Sequence, residues 1–289
     1  MWPRGARCAP EVRDVVRSGA GDVAGAVGRT FSFGADGGRV SRVHHDEVPS
    51  DLWTERQAEG YDDPGDPRFS PQLLERTTRF LAELAEGGRA LEFAIGTGRV
   101  AIPLQQRGLE VSGIEYSPAM ADRLRRKTTE IPVVIGDMAT TRADGEFSLV
   151  YLVFNTIGNL YTQEAQVACF RNAARHLRPG GRFVVEVGVP ALRRLPPGQD
   201  AVPFAVTEQH LGFDTYDLVT QRAVSHHYSR QEDGSYRYSP HNFRYVWPSE
   251  LDLMAQLAGF APEARYADWD RAPFTADSDS HVSVWRLPG

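Results

Sequence analysis

Ala90-Leu91-Glu92-Phe93-Ala94-Ile95, followed at once by Gly96-Thr97-Gly98 and a short helical pattern over residues 99–107, decides how this chain folds. The apolar run with one acid in it reads as a buried strand, and glycines on both sides of Thr97 read as a tight turn into a helix. Missing side chains there let a ligand approach the backbone, and the helix N-terminus offers its amide hydrogens. A strand-to-helix turn with no ligand would use the same glycines, so the surrounding sequence has to decide between them.

Outward from that turn, strand and helix alternate. Upstream, Ser70 and Pro71 open a helix whose stripe is Leu73, Leu74, Thr77, Phe80, Leu81 and Leu84, and Gly87-Gly88 stops it. Downstream come a strand from Leu109 to Glu115, a helix from Ser117-Pro118 to about Glu130, and a third strand from Pro132 to Ile135. A fourth strand runs from Phe147 to Phe154, residues 162–177 form a helix, and a fifth strand from Phe183 to Val187 is entered through Arg178-Pro179-Gly180-Gly181. This alternation predicts an α/β fold, a parallel sheet with helices on both faces, and right-handed crossovers leave few topologies for it.

After Val187 the rhythm changes. Residues 190–200 are proline-rich, and 203–247 read as antiparallel strands with a turn at Glu232-Asp233-Gly234, so about 190–247 is expected to be an antiparallel β cap inserted after strand 5. Ser249 is expected to cap a helix carrying Leu251, Met254 and Leu257, and strands at about 262–267 and 280–287 close the chain.

Composition narrows the class. Of 289 residues 41% are hydrophobic and 24% charged, and no apolar run approaches the ~20 residues of a membrane helix, so no membrane partner is expected. Seven arginines against four acids put residues 1–42 at +3, which leaves the rest of a chain of net charge −6 at −9. That first segment reads as a disordered Arg/Gly/Ala-rich tail with no secretory signal, and the domain is expected to span 43–289. An acidic body without a basic face argues against nucleic acid. Two cysteines, Cys8 and Cys169, cannot make a disulfide framework or a cysteine metal site, which suits a reducing cytoplasm.

With Ala101 the glycine turn satisfies G-x-G-x-x-G/A, and Glu115 stands roughly 20 residues on, where a ribose-binding acid belongs. Three features separate this chain from a nicotinamide-binding protein. Glu92 occupies a strand position that is aliphatic in dinucleotide folds. Gly136-Asp137-Met138 puts a carboxylate and an apolar side chain at the carboxyl edge of the sheet, where open α/β sheets bind ligands. Leu177-Arg178-Pro179-Gly180-Gly181 leads a helix into the fifth strand. Together these residues resemble the class I S-adenosylmethionine-dependent methyltransferases, strongly over 71–188 and more loosely over 248–289.

The resemblance implies a Rossmann-like sheet of seven strands, mostly parallel with the last antiparallel, and S-adenosyl-L-methionine as cofactor. It implies that Glu92, Ala94, Gly96 and Gly98 surround the methionine part, with Ala94 where glycine is commoner. Glu115 would accept both ribose hydroxyls, Asp137 would bind the adenine amino group, and Met138 would pack on the ring. Asn155 would lie near the sulfonium and the acceptor, and Tyr61 would fold over the methionine carboxylate.

A sulfonium already carries an activated methyl group, so the protein has mainly to bind it, exclude water and hold the acceptor in line. No metal site is therefore expected. A base is needed only if the acceptor must lose a proton, and the candidates are His226, His227 and His241. Alternation along Val224, His226 and Tyr228 puts His226 and His227 on opposite faces. The Asn155-Thr156-Ile157-Gly158 stretch lacks the Asn/Asp-Pro-Pro-Tyr/Phe motif of enzymes that methylate DNA amines, so the acceptor is expected to be a small molecule. The chain looks similar to actinobacterial enzymes that methylate amino-sugars and other natural products. Its rivals are a non-catalytic S-adenosylmethionine-binding protein and, less favoured by Glu92, Asp137 and the proline-glycine-glycine turn, an NAD(P)-dependent oxidoreductase.

Overall fold

The computed structural model describes residues 55–289 apart from Pro64. The expected tail over 1–42 and the expected domain start at 43 lie outside the described residues. In chain order the elements are α1 (Glu55–Glu59), α2 (Pro71–Ala85), β1 (Ala90–Phe93), α3 (Ala101–Gln106), β2 (Val111–Glu115), α4 (Pro118–Lys127), β3 (Val133–Ile135), β4 (Phe147–Leu152), α5 (Gln163–His176) and β5 (Leu177–Gly188). Then follow β6 (Ala201–Val206), β7 (His210–Tyr216), β8 (Arg222–Arg230), β9 (Tyr236–Arg244), α6 (Pro248–Leu257), β10 (Ala261–Tyr266) and β11 (Ser280–Arg286). No helix among the described residues is long and apolar enough to cross a membrane.

Seven strands form one sheet in the order β10-β11-β5-β4-β1-β2-β3. β1 pairs in parallel with β2 and β4, β2 with β3 and β4 with β5, while β11 runs antiparallel to β5 and β10. Every residue of β1 and β4 is buried, as in a strand covered on both faces. Alternate residues of β4 serve different layers. Leu149 and Tyr151 join Phe80, Leu81, Leu104 and Leu124 from α2, α3 and α4. Val150 and Leu152 join Phe170 from α5 and Leu251 and Met254 from α6.

β2 starts at Val111, α4 ends at Lys127 and β4 ends at Leu152, each two or three residues inside the expected span, and three further boundaries differ for a visible physical reason. β1 stops at Phe93 because Ala94 turns to φ 51°, so the strand ends before Ile95. β5 starts at Leu177: Arg178-Pro179-Gly180-Gly181 is stitched into the sheet by Gly180 N–H to Leu287 O (2.8 Å) and Leu287 N–H to Gly181 O (2.8 Å). α6 is entered at Trp247 with Pro248 at its first turn and no side-chain cap, so proline's fixed φ starts the helix and Ser249 does not.

The cap is a separate antiparallel sheet, β6-β7-β8-β9. Val202, Tyr216, Ala223 and Tyr245 form its small core, packed on Leu192, Leu195 and Phe243. Its attachment is polar and buried. Arg244, at the end of β9, donates to Gln166 of α5, to Gln221 (3.0 Å) and to Glu250 of α6 (2.6 Å). Gln166 in turn donates to the carbonyl of Ile157 (3.1 Å), in the turn after β4. Gly158 in that turn lies so close that an added Cβ would stand 3.2 Å from Arg244 O.

Candidate active site

The site is built where β1 and β2 end. Ala94, Gly96 and Gly98 take φ values of 51°, 60° and 81°, the left-handed region that costs an L-residue about 1–2 kcal/mol. Only Gly98 has a steric reason as well. A Cβ there would meet Leu124 Cδ1 at 2.4 Å and Ile102 at 3.1 Å. The turn brings the Gly96 N–H to Glu115 Oε2 (2.7 Å), and Ser117 N–H donates to Glu115 Oε1 (2.8 Å). A carboxylate has about four acceptor positions, so Glu115 is oriented by main-chain donors and keeps acceptor capacity. Burial nevertheless pushes its pKa up.

Glu92 is 3% exposed and accepts a hydrogen bond from Tyr151 Oη (2.9 Å). Burial pushes its carboxyl pKa up to about 8; the Tyr151 bond and the Arg99 charge work the other way, and the Glu115 charge adds to the rise. The motif acid is therefore mostly protonated at neutral pH in the protein alone, and a nearby cation would favour its ionised form.

The segment before α2 wraps onto this turn. Thr97 Oγ1 donates to Asp62 Oδ1 (2.5 Å), and Asp62 also pairs with Lys127 (2.7 Å). Next to Asp62, the Tyr61 ring meets Phe69 edge-on at 6.0 Å, and the Arg68 guanidinium lies 5.2 Å from its centroid. Arg68 also lies 4.8 Å from the Phe154 ring, and Arg99 lies 5.7 Å from it while donating to Arg68 O (3.0 Å). Burial raises the Tyr61 pKa, with Arg99 and Arg68 opposing. Sequence reasoning nominated Tyr61 but missed Arg68, Arg99 and Asp62. Arg99, the first side chain after the glycine turn, was the one with a signal to follow.

Asp137 caps the turn after β3: its Oδ1 accepts from Ala139 N–H (2.7 Å), and Met138 beside it is 7% exposed. At the end of β4, Phe154 and Asn155 are consecutive left-handed residues, at φ 57° and 61°. Backbone strain of this kind persists only where the surroundings enforce it. Here Glu186 accepts from Phe154 N–H (2.9 Å) and from Trp269 Nε1 (2.8 Å), and Asn155 Oδ1 accepts from Gly188 N–H (2.6 Å). The result is a half-exposed Phe154 ring beside the two arginines.

In the cap, His226 and His227 point to opposite faces, as alternation requires. His226 stacks on Phe213 at 4.7 Å, with Thr215 Oγ1 at 3.0 Å from Nε2 and Tyr238 Oη at 2.8 Å from Nδ1. His227 contacts His210 (Nδ1 to Nε2, 3.0 Å) and Ser225 (3.1 Å). His241 stands across from Ser225 on the face of His227 and Asp214. Burial lowers the pKa of His241 and so does the His227 charge, while Asp214 raises it. Among the described residues, no group of three or more His, Cys, Asp or Glu side chains could hold a metal ion.

A family model described as "Methyltransferase domain" matches residues 90–181. The CcbJ methyltransferase from Streptomyces caelestis is 36% identical with a TM-score of 0.72, and the match covers 80% of this chain and 96% of that one. The chain belongs to the S-adenosylmethionine-dependent methyltransferases. Two further relatives match this methyltransferase over shorter stretches. The putative methyltransferase YqeM of Bacillus subtilis is 29% identical over 134 residues, 45% of this chain and 54% of YqeM, so the chain spans about half the length of that relative. The dTDP-3-amino-3,4,6-trideoxy-alpha-D-glucopyranose N,N-dimethyltransferase of Streptomyces venezuelae is 33% identical over 101 residues, 35% of this chain and 43% of that protein.

Proposed function

We propose that this cytoplasmic methyltransferase moves the methyl group of S-adenosylmethionine to an amine nitrogen of a small-molecule acceptor by in-line displacement. The observation that carries the reading is the buried Glu115 carboxylate, fixed by Gly96 and Ser117 amides beside a turn where Gly96 is partly exposed and carries no side chain. Those features fit the cofactor: an oriented acceptor for vicinal hydroxyls, next to backbone that a ligand can approach. When bound, the cofactor supplies a methyl group already activated by its sulfonium.

The chain's own residues then have to bind, orient and take up a proton. Glu115 holds the ribose and the Gly96–Gly98 turn lies along the methionine part. Glu92, easily charged or neutral, balances a cation nearby. Tyr61 and Arg99 supply donors for a carboxylate, beside Arg68, which is already paired with Asp66, and Asp137 and Met138 serve the adenine. Asn155 holds the ends of β4 and β5 at fixed spacing, so that Phe154 borders the acceptor. Positioning of this sort is worth ~7–11 kcal/mol. An acceptor ammonium must shed a proton before its lone pair can attack. His227 and His241 share one face of the cap and burial lowers the pKa of both, so that face carries the candidates to take it, with His241 the one tested first. His227, whose ring nitrogens contact His210 and Ser225, supports that face, and His226 is tied into the opposite one. The amino-sugar activity in the name of the Streptomyces venezuelae relative favours nitrogen. Cys169, buried and free, is in keeping with a reducing compartment.

The test is calorimetric binding of S-adenosylhomocysteine to the purified chain, followed by incubation of methyl-labelled S-adenosylmethionine with a panel of amino-sugars and other amines. Micromolar binding with label transferred to an amine is expected. Binding without transfer to any acceptor would favour a cofactor-binding protein without methyl-transfer activity, and absence of binding at millimolar ligand would overturn the reading.

A further inference from the structure

Of the 32 basic residues only Lys127 is a lysine. It ends α4, where a cation also complements the helix dipole. Its Nζ donates to the carbonyl of Thr97 at 2.8 Å and pairs with Asp62 Oδ2 at 2.7 Å. Thr97 Oγ1 donates to the other Asp62 oxygen at 2.5 Å, which closes a ring of three residues from three separate stretches of chain. Arg123 Nε adds a longer contact to Asp62, 3.6 Å. Thr97 has no exposed surface.

Two features make this ring more than a surface ion pair. One of its members is the middle residue of the glycine turn, so Lys127 fixes the direction of the Thr97 carbonyl and with it the Thr97–Gly98 peptide. Another member, Asp62, is bonded to Tyr61, whose ring lies in the group of Arg68, Phe69 and Phe154 at the site. An ammonium is compact enough to sit against one carbonyl and one carboxylate oxygen together, whereas a guanidinium presents a planar fork.

We infer that Lys127 is a positioning residue, a latch that pins the Tyr61-Asp62 segment to the glycine turn and thereby sets how firmly the amino-acid end of the cofactor is held. This inference rests on the cofactor reading above. It separates the two ends of the ligand: the adenosine end is held by Glu115, Asp137 and Met138, and the latch touches none of them.

The experiment compares S-adenosylhomocysteine with 5′-methylthioadenosine, which lacks the amino-acid end, by calorimetry on the full chain and on Lys127→Met, Lys127→Arg and Asp62→Asn. Lys127→Met is expected to weaken S-adenosylhomocysteine about tenfold and methylthioadenosine less than twofold, with Asp62→Asn in the same direction and Lys127→Arg, whose planar fork cannot meet both oxygens in the same way, recovering only a minor part of the loss. Equal losses for both ligands, or no loss, overturn the latch and leave Lys127 a structural residue. Amide exchange without ligand gives an independent reading. Faster exchange over residues 58–66 in Lys127→Met is expected, and unchanged exchange overturns the latch even if the wild-type chain fails to bind S-adenosylhomocysteine, a failure that would by itself overturn the cofactor reading.

Discussion

The glycine turn and the cap are built on opposite terms. Where β1 and β2 end, the main chain does most of the work: amides of Gly96 and Ser117 aim Glu115, and left-handed φ values bend the turn. In the cap the backbone is a regular antiparallel ladder, and what matters is which side chains share a face. The first region is therefore intolerant of one added carbon. The second depends on its pairing register, and a one-residue slip would exchange His226 for His227.

The sharpest way to break that contrast is to add the carbon. Gly98→Ala places a Cβ against the fully buried Leu124 at a φ of 81°, so left-handed strain and overpacking add. A loss of about 2–5 kcal/mol of unfolding free energy is expected in urea titrations. A loss below 0.5 kcal/mol would mean that the turn is softer than its contacts suggest.

In the cap the corresponding experiment changes chemistry and leaves packing alone. His241→Asn is expected to lower turnover of an amine acceptor about 100-fold, the low end of what a general base contributes. His226→Asn, on the other face, should stay within about threefold. If the two variants behave alike, the cap acts by enclosure and not by proton transfer.

Glu92 tests the glycine-turn region through pH. Its folded pKa of about 8 lies above the ordinary 4.5. The unfolded chain therefore gives up this proton first, and the stability of the ligand-free protein falls as pH rises from about 4.5 to 8, with no contribution to the slope outside that window. Glu92→Gln should remove that decline. Melting curves of the two proteins should diverge by on the order of 5 °C across the window, the variant ending higher. Parallel curves would show that the carboxyl is ionised throughout.

The smallest effect is expected at Glu115, which has protein donors whether or not a ligand is present. Glu115→Ala should weaken S-adenosylmethionine at least tenfold, or about 1.4 kcal/mol, by calorimetry. Unchanged affinity would move the ribose elsewhere.

What the sequence made legible follows the same division. The parallel sheet, the glycine turn and the acids at strand ends were readable because burial imposes period and because glycine marks where the chain must turn. The opposite placement of His226 and His227 was readable from alternation alone. Arg68, Asp62 and Lys127 were not, because charged side chains that meet across 30 or more residues leave no periodic trace; Arg99 had only its place after the glycine turn. His210 escaped for a related reason. Its bond to His227 depends on the register of β7 against β8, which the residues between those strands determine without an obvious turn motif. Ala94 defeated the strand boundary because nothing in an alanine announces a left-handed backbone.

The Arg244 attachment bears on how such proteins diversify. One buried side chain clamps the cap to α5 and α6, and through Gln166 the same clamp reaches the turn that follows Asn155. The strands of the cap can thus change without touching the glycine turn, provided each revised cap still ends in a side chain that can dock in that socket. An arginine at the foot of an otherwise unrecognisable cap would then be the mark by which distant versions of this arrangement could be aligned.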